Sequence, residues 1–273
     1  MLHLPKIIFL TLVFLLSPAF AEMESTECTT LIKKNQCMEA IRFCKNEAEQ
    51  GDAKAQILLG FLYSGTSHGD FRKNYKEPFR WISLAAEQDF TKAQLAMAEM
   101  YMGGEVVPEN AKKAKIWYEK AAKKGNLDGI NGLARLYRYG TGVRKDYEKA
   151  FELYQQAALQ NHTRSQVGVG LSYRDAKGVK KNVIKAYAWL SLAADRMDDR
   201  ALKDLQEHWE NEREEIDKTI PQCKYVLRTE KMAEIFAVGY AKRALFDLKQ
   251  RMGLKQIKQA KGLAVQLRTE ISP

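Results

Sequence analysis

Apolar residues recur at helical spacing through the middle of the chain. In YEKAFELYQQAA, which begins at Tyr147, they follow spacings of three and four and end in an Ala-Ala pair. The segments WISLAAEQDF from Trp81, WYEKAAKKGN from Trp117 and WLSLAADRMD from Trp189 repeat this ending. In each of them the Ala pair begins four residues after the tryptophan. The pattern predicts a series of amphipathic helices that share one buried seam.

Polar residues and glycines mark where these helices begin and end. A short side-chain oxygen precedes each run, where it can accept hydrogen bonds from the first backbone amides of a helix. These residues are Asn74, Asn110, Asp146 and Asn182. Residues that tolerate a left-handed backbone follow the runs. They are Gly51, Asp89, Gly125 and Asn161. Met197 breaks this series, so we expect the last unit to end differently.

Another helix follows each of these ends, and its tyrosine recurs with a fixed period. The tyrosines of this helix lie 38, 36 and 36 residues apart, at Tyr63, Tyr101, Tyr137 and Tyr173. A period in this range predicts stacked helical pairs. Small residues share one register in the same helix: Gly60, Ala98, Ala134 and Gly170. We expect them to let this helix approach the Ala pair of its neighbour closely.

The repeated unit resembles the Sel1-like repeat family, whose members are relatives of tetratricopeptide repeats. The resemblance covers about residues 37–202 and is most specific in YRYGTGVRKDYEKAFELYQQAALQN. It implies an all-α protein: an α-solenoid of stacked antiparallel helix pairs, with about five units in residues 22–202. The tail KQRMGLKQIKQAKGLAVQL resembles the closing helix common in the family. Residues 203–273 are therefore expected to form a C-terminal helical extension and cap.

The first residues are typical of a secretory signal peptide. Lys6 precedes the apolar run IIFLTLVFLL, and Ala19 and Ala21 follow in A-x-A spacing. We expect cleavage after Ala21, so that residues 1–21 are removed and the protein is periplasmic or secreted, as in secreted bacterial members of the family. A membrane anchor that is never cleaved is the alternative.

Four cysteines, Cys28, Cys37, Cys44 and Cys223, occur in a chain expected in a compartment where disulfides persist. Cys37 and Cys44 lie about 10.5 Å apart along one helix, which is too far for a bond. A helical hairpin that turns near residues 35–36 places Cys28 opposite Cys44. This geometry favours a Cys28–Cys44 disulfide, with Cys28–Cys37 as the alternative. The spacing lacks the close ligand pair of a structural zinc site.

Charge is unevenly distributed, and the chain as a whole is basic, with a formal net charge of +10. Residues 198–217 carry a net charge of −6, and residues 218–273 carry +8. These segments are interpreted as two solvated helix faces that attract each other, or else as a docking site. In an exported protein the basic surface favours acidic proteins, glycans or anionic lipids as partners over nucleic acid.

The sequence contains no catalytic constellation. H-E-x-x-H, G-x-x-x-x-G-K and S-x-x-K are all absent, and the G-x-S-x-G match GTSHG at residues 65–69 lies between two predicted helices rather than between a strand and a helix. We therefore expect no catalytic residue, cofactor or metal. Because some secreted Sel1-like proteins are associated with β-lactamase or penicillin-binding activity, an enzyme or binding protein that acts on cell-wall material or β-lactams is the alternative. A third possibility is binding of anionic lipid or glycan through the basic C-terminal region.

The resemblance also implies where a partner would bind. Tetratricopeptide-like stacks form a concave groove from the first helix of each pair, here the helices that contain the tyrosines. The positions expected to be exposed there include Lys92, Leu95, Asp128 and Leu171. The predicted partner-binding residues are Glu99, Met102, Asn131, Arg135, Arg138, Arg164, Val167 and Arg174. Their arginines suit carboxylates of a partner peptide. The predicted function is non-catalytic protein–protein interaction by a monomeric scaffold, adaptor or regulator.

Overall fold

The structure, a computed structural model, describes residues 27–34, 36–66, 76–103, 107–196 and 229–271. These residues form twelve α-helices and no strand, which confirms the all-α prediction. The helices are α1 (Glu27–Lys33), α2 (Cys37–Glu49), α3 (Ala53–Thr66), α4 (Lys76–Glu87), α5 (Thr91–Gly103), α6 (Ala111–Lys123), α7 (Leu127–Tyr139), α8 (Tyr147–Ala158), α9 (Thr163–Asp175), α10 (Val183–Ala194), α11 (Thr229–Lys249) and α12 (Leu254–Ile271). The predicted signal peptide and the acidic segment 198–217 lie outside the described residues.

The helices belong to two compact units. The first contains α1–α4, and the second contains α5–α12. In the first unit α2 packs on α3 and α3 on α4, and in the second unit each helix from α5 to α9 packs on the next one along the chain. Consecutive helices thus stack as hairpins. This arrangement confirms the predicted α-solenoid.

The predicted helix starts are confirmed where they are described. Asn110, Asp146 and Asn182 precede α6, α8 and α10. Each side chain accepts a hydrogen bond from the backbone amide three residues later, at 3.0, 2.9 and 2.9 Å. Asn74 lies outside the described residues. These caps satisfy amides that have no partner within the helix.

The predicted helix ends are confirmed as well. Gly51, Asp89, Gly125 and Asn161 all have positive φ, at 96°, 64°, 78° and 65°. Asp89 and Asn161 adopt this conformation without being glycine, and aspartate and asparagine are the residue types that tolerate it best. The last of these helices, α10, is instead followed by Asp195, a capping residue with φ −74°, and Met197 lies beyond the described residues.

A contact repeated in three loops explains the tyrosine period. The carbonyls of Tyr101, Tyr137 and Tyr173 accept from the capping residue of the next helix, at 2.8, 2.9 and 3.0 Å. A lysine in the first turn of that helix also places its ammonium over the tyrosine ring, at 5.3, 4.5 and 5.4 Å from the centroid. One tyrosine therefore ties each loop to the following helix by a hydrogen bond and a cation–π contact.

The predicted seam is wrong in register at two of its four small residues. Gly60 and Gly170 do sit at close approaches, but a Cβ on them would meet Ile82 and Leu190 rather than the Ala pairs. These two side chains lie about one turn before the pairs. It is Gly129, at the start of α7, that approaches a pair, since a Cβ there would lie 2.9 Å from that of Ala121. The Ala121–Ala122 pair therefore fits against the beginning of the next helix.

The first two helices are joined covalently. Cys28 and Cys44 form a disulfide between α1 and α2, with their Cα atoms 5.0 Å apart, and both are fully buried. The predicted pairing is confirmed and the Cys28–Cys37 alternative is wrong. The side chain of Cys37 and the whole of Cys223 lie outside the described residues.

The C-terminal helices cover the last repeat. Both α11 and α12 pack on α10, and α11 also packs on α9. Ala241, Leu248, Ala260 and Ile271 from these two helices share one buried cluster with Trp189 of α10. None of the described helices is long and apolar enough to cross a membrane.

Candidate protein-binding surface

A polar network joins α7 to the start of α9. Asp128 Oδ1 lies 2.8 Å from His162 Nε2 and also contacts the Arg164 guanidinium. His162 Nδ1 lies 2.8 Å from Ser165 Oγ, and Asn131 Nδ2 donates to the same oxygen at 2.9 Å. We call these five residues the Asp128 network. It links two successive repeats through side chains that the sequence alone leaves unconnected.

The network holds Asp128 in its ionised form. Burial by itself would raise the pKa of the Asp128 carboxyl, but the hydrogen bond from His162 and the positive charge of Arg164 outweigh burial and lower it. Arg164 is therefore already matched to an internal carboxylate, and only part of its charge is available to a partner.

Two further arginines share a second carboxylate. Arg174 contacts Asp175 through Nε and a terminal nitrogen, at 2.7 and 3.1 Å. Arg138 lies 3.6 Å from the same carboxylate and donates to Ser172 Oγ at 3.3 Å. The hydrogen bond from Arg174 lowers the pKa of Asp175 most, and the charges of Arg174 and Arg138 add to this effect. The middle of the predicted groove is thus less positive than its arginines suggest.

Three predicted partner-binding residues are not exposed as expected. Only 5%, 8% and 8% of the surface of Asn131, Arg138 and Val167 is accessible to solvent. Asn131 and Arg138 donate across to serines of α9, which satisfies their polar groups inside the protein. The expectation of exposure was wrong because helical spacing identifies a face but does not tell whether the neighbouring helix covers it.

Arg135 and Glu99 remain open to solvent. Their charged groups lie 4.0 Å apart, and the side chains are 50% and 58% exposed. Glu99 also accepts a hydrogen bond of 2.6 Å from the buried Tyr118 hydroxyl. Burial, and then the charge of Glu99, raise the pKa of Tyr118, so this hydroxyl remains a donor. Tyr118 thereby fixes Glu99 beside Arg135.

The exposed or partly exposed members of the predicted site form one set on α5, α7 and α9. They are Glu99, Met102, Arg135, Arg164 and Arg174. We call this set the first-helix surface. Leu95 and Met102 pack against a buried cluster that includes Leu133 and Leu136, so the apolar edge of this surface rests on the core.

The supporting residues His162, Ser165, Ser172 and Asp175 were not predicted. A signal for three of these contacts existed in the repeat period. The contacts from Asp128 to His162, from Asn131 to Ser165 and from Arg138 to Ser172 all span 34 residues. Searching for donor and acceptor pairs about one period apart would have found them.

The Asp128 network has the order of a hydrolase triad but not its access. Asp128, His162 and Ser165 follow one another as acid, base and hydroxyl do in such enzymes. Ser165 is fully buried, and its oxygen already accepts from Asn131. A nucleophile must be reached by its substrate, so these residues act here as a junction between helices. No cluster of three or more potential metal ligands occurs among the described residues.

The Sel1 repeat model matches residues 53–90, 91–126, 127–162 and 163–196, which make up more than half of the chain. The chain belongs to the Sel1 repeat family. Each matched repeat contains one helix pair, from α3–α4 to α9–α10, so four repeats are matched where about five units were expected. Helices α1, α2, α11 and α12 lie outside the matched repeats.

Curated relatives of this Sel1 repeat protein include two fungal regulators. It is 36% identical over 83 residues to chitin synthase regulatory factor 3 of Schizosaccharomyces pombe, and the match covers 30% of the chain and 9% of the relative. It is 33% identical over 89 residues to chitin synthase regulator SKT5 of Saccharomyces cerevisiae, with 33% and 12% covered. The chain thus spans only about a tenth of the length of these relatives.

Two solved structures share the fold. A protective antigen of uropathogenic Escherichia coli that displays an SLR fold is 32% identical, with a TM-score of 0.53, and 63% of this chain and 36% of that one are covered. A Sel1 repeat protein from Oxalobacter formigenes is 28% identical, with a TM-score of 0.54 and coverage of 69% and 74%. Sel1 repeats generally mediate protein–protein interaction, and the family suggests a non-catalytic protein.

Proposed function

We propose that this Sel1 repeat protein is exported and acts as a scaffold, adaptor or regulator that binds a segment of a partner protein on the first-helix surface. Two of its relatives are named as regulators of chitin synthase, which favours a regulatory role. Export rests on the predicted signal peptide. N-terminal sequencing of the protein recovered from its native compartment tests it, and a chain that still begins at Met1 contradicts cleavage after Ala21.

The observation that carries the proposal is the half-exposed Arg135, whose guanidinium lies 4.0 Å from Glu99. An exposed arginine fork can pair with a partner carboxylate in a bidentate geometry. Arg164 and Arg174 lie about one repeat along the surface, where Asp128 and Asp175 contact their guanidinium groups. The partner segment that fits this surface carries carboxylates, with apolar side chains that reach Met102.

The test is quantitative capture of partners from an envelope extract by crosslinking. Replacing Arg135 and Arg174 together by Ala is expected to weaken capture more than about tenfold, because a desolvated arginine pair costs about 2 kcal/mol or more to remove. The melting temperature is expected to change little. The control replaces Lys255 and Lys258 of α12 by Ala. If this control abolishes capture and the arginine pair does not, binding occurs on the basic tail instead.

A second candidate function rests on α12. Leu254 and Val265 are 88% and 61% exposed there, and Lys255, Lys258 and Lys261 are exposed on the same helix. Apolar side chains among lysines suit an anionic lipid surface, with which the protein would make weak contact. The cell-wall or β-lactam alternative has no such observation in its favour, and hydrolysis of a chromogenic β-lactam by the pure protein would revive it.

Vesicle sedimentation separates the lipid candidate from the protein-binding one. Phosphatidylglycerol vesicles, but not phosphatidylcholine vesicles, are expected to sediment the protein at low salt, and Lys258→Glu with Lys261→Glu should abolish this. The matched control is Lys120→Glu with Lys123→Glu on α6, which makes the same change in net charge elsewhere. Equal losses in both variants would mean that only overall charge matters.

A further inference from the structure

Helix α11 continues the row of first helices past the last matched repeat. Thr163, at the start of α9, hydrogen-bonds Glu234 of α11 at 3.3 Å. Arg174, near the end of α9, interacts with the Tyr240 hydroxyl. The start of α9 thus contacts the earlier residue of α11 and its end contacts the later one, so the two helices run in the same direction. Helix α11 thus stands beside α9 as the first helix of another repeat would, although residues 229–249 lie outside the four matched repeats.

An aromatic stripe lies on the solvent side of α11. Phe236 and Tyr240 are 68% and 51% exposed, one turn apart, and Arg243 follows one turn later. The spacing i, i+4, i+7 places all three on one side of the helix. We call Phe236, Tyr240 and Arg243 the α11 stripe. Protein interfaces often depend on a few residues for most of their binding energy, and these residues are enriched in aromatic side chains and arginine. An exposed apolar patch of this composition indicates an interaction site.

The orientation of this stripe is fixed by the opposite side of the helix. Ile235, Val238, Ala241 and Ala244 are all at least 97% buried. The stripe itself is not needed for that packing. Its aromatic rings are therefore held towards solvent by the core, and a partner that covers them buries a large apolar area without rearranging the helix.

Charge around the stripe identifies the partner's chemistry. Arg243 has no ion-pair partner among the described residues. The nearby carboxylates are already engaged: Asp175 by Arg174, and Glu234 by Arg196 at 3.5 Å and by Thr163. Asp247, one turn beyond Arg243, lines a cavity of about 760 Å³ together with Arg174, Arg251 and Met252. The stripe offers an apolar surface and one available cation.

We propose that the α11 stripe binds an acidic segment of a partner protein, with an apolar or aromatic side chain packed on Phe236 and Tyr240 and a carboxylate paired with Arg243. The inference rests on the proposed function and deepens it. The binding surface extends beyond the Sel1 repeats onto α11, and the same segment that reaches Arg174 continues across the α11 stripe.

The experiment selects a random dodecapeptide phage library on the immobilised full-length protein and measures the affinity of enriched peptides by fluorescence anisotropy. Enriched peptides are expected to carry Asp or Glu close to Phe, Leu, Ile or Trp. Phe236→Ser with Tyr240→Ser is expected to weaken their binding at least about tenfold, and Arg243→Glu is expected to abolish the preference for acidic peptides. The matched control is Phe43→Ser on α2, a residue 47% exposed in the first unit, which should leave affinity unchanged.

Each contrary result has its own meaning. Enriched peptides that lose binding with Arg135→Ala but not with the Phe236 and Tyr240 substitutions overturn the α11 stripe and leave the first-helix surface standing. Binding insensitive to all of these variants, or no enrichment at all, overturns both. If sedimentation finds a dimer that the Phe236 and Tyr240 substitutions convert to a monomer, the stripe binds a second copy of the chain and the proposed partner is wrong.

Discussion

At the N-terminal end of the described chain, α1 and α2 are joined by Cys28–Cys44, whereas at the C-terminal end α11 and α12 are held by non-covalent contacts with α9 and α10. Helix α1 has seven residues and contributes few large apolar side chains, chiefly Leu31 and Ile32. Helices α11 and α12 have 21 and 18 residues. A short terminal hairpin buries too little to hold itself, and the covalent bond compensates for this.

The comparison teaches how a repeat stack closes each end. Interior repeats are covered on both sides, but a terminal repeat has one neighbour and needs a cap. At the C-terminal end the cap is hydrophobic, since Val238, Leu248, Ala260 and Ile271 are all buried there. At the N-terminal end the disulfide stabilises α1 and α2 by restricting the conformations of the unfolded chain. The two ends should therefore respond differently to core substitutions and to reductant.

The largest effect is expected from removing apolar volume at the C-terminal end. Leu248 is 4% exposed within the buried cluster of α7–α12. Leu248→Ala is expected to lower the free energy of unfolding by about 2–5 kcal/mol, because it removes buried methyl groups and leaves a cavity. Hydrogen exchange measured by mass spectrometry should locate the loss in residues 229–271.

Leu254→Ala provides the matched control for this substitution. Leu254 is 88% exposed, so the same chemical change should alter the free energy of unfolding by less than about 0.5 kcal/mol. Equal effects of the two substitutions would contradict the assignment of α11 as a packed cap.

A slightly smaller effect is expected from opening the disulfide. Cys28→Ser with Cys44→Ser should cost about 3 kcal/mol, since the bond closes a short loop and restricts the unfolded chain. Faster hydrogen exchange should appear in residues 27–49, and reductant should produce the same change in the unmutated protein but none in the double variant. Non-reducing peptide mapping that joins Cys28 to Cys223 would refute the pairing itself.

Local features of the fold could be predicted because each depends on a few neighbouring residues. A helix start needs only one side-chain oxygen at the right position, as at Asp146, and a left-handed end needs only a tolerant residue, as at Asn161. The Cys28–Cys44 bond follows from the length of one hairpin. These features are independent of how distant helices meet.

The site was predicted less well because exposure depends on contacts between repeats. Arg138 has the spacing of a surface residue, yet Ser172 and Asp175 of the next repeat enclose it. Gly60 was assigned to an Ala pair, whereas the crossing of the helices brings it to Ile82. The α11 stripe was missed because residues 229–249 carry no repeat pattern, and only packing identifies which of their apolar residues are covered.

The smallest effect concerns the polar contacts between α7 and α9, where ion pairs and hydrogen bonds link two successive repeats. The pKa values of Asp128 and Asp175 are lowered in the folded protein. The unfolded chain has an Asp pKa of about 3.9. Below that value the unfolded state binds more protons than the folded one, so this stabilisation is complete above about pH 4 and is lost as the pH falls further.

Asp128→Asn tests this junction. It should lower the free energy of unfolding by about 1 kcal/mol near neutral pH, because Asp128 is partly solvated and its ion pair is screened. Denaturant titrations between about pH 6 and pH 3 should then show a shallower loss of stability in the variant than in the unmutated protein. The control is Glu152→Gln, an exposed residue of α8 without an ion pair among the described residues, which should keep the original slope. Parallel slopes for Asp128→Asn and the unmutated protein would mean that the Asp128 network stabilises the junction by packing and neutral hydrogen bonds, in the same manner as the C-terminal end.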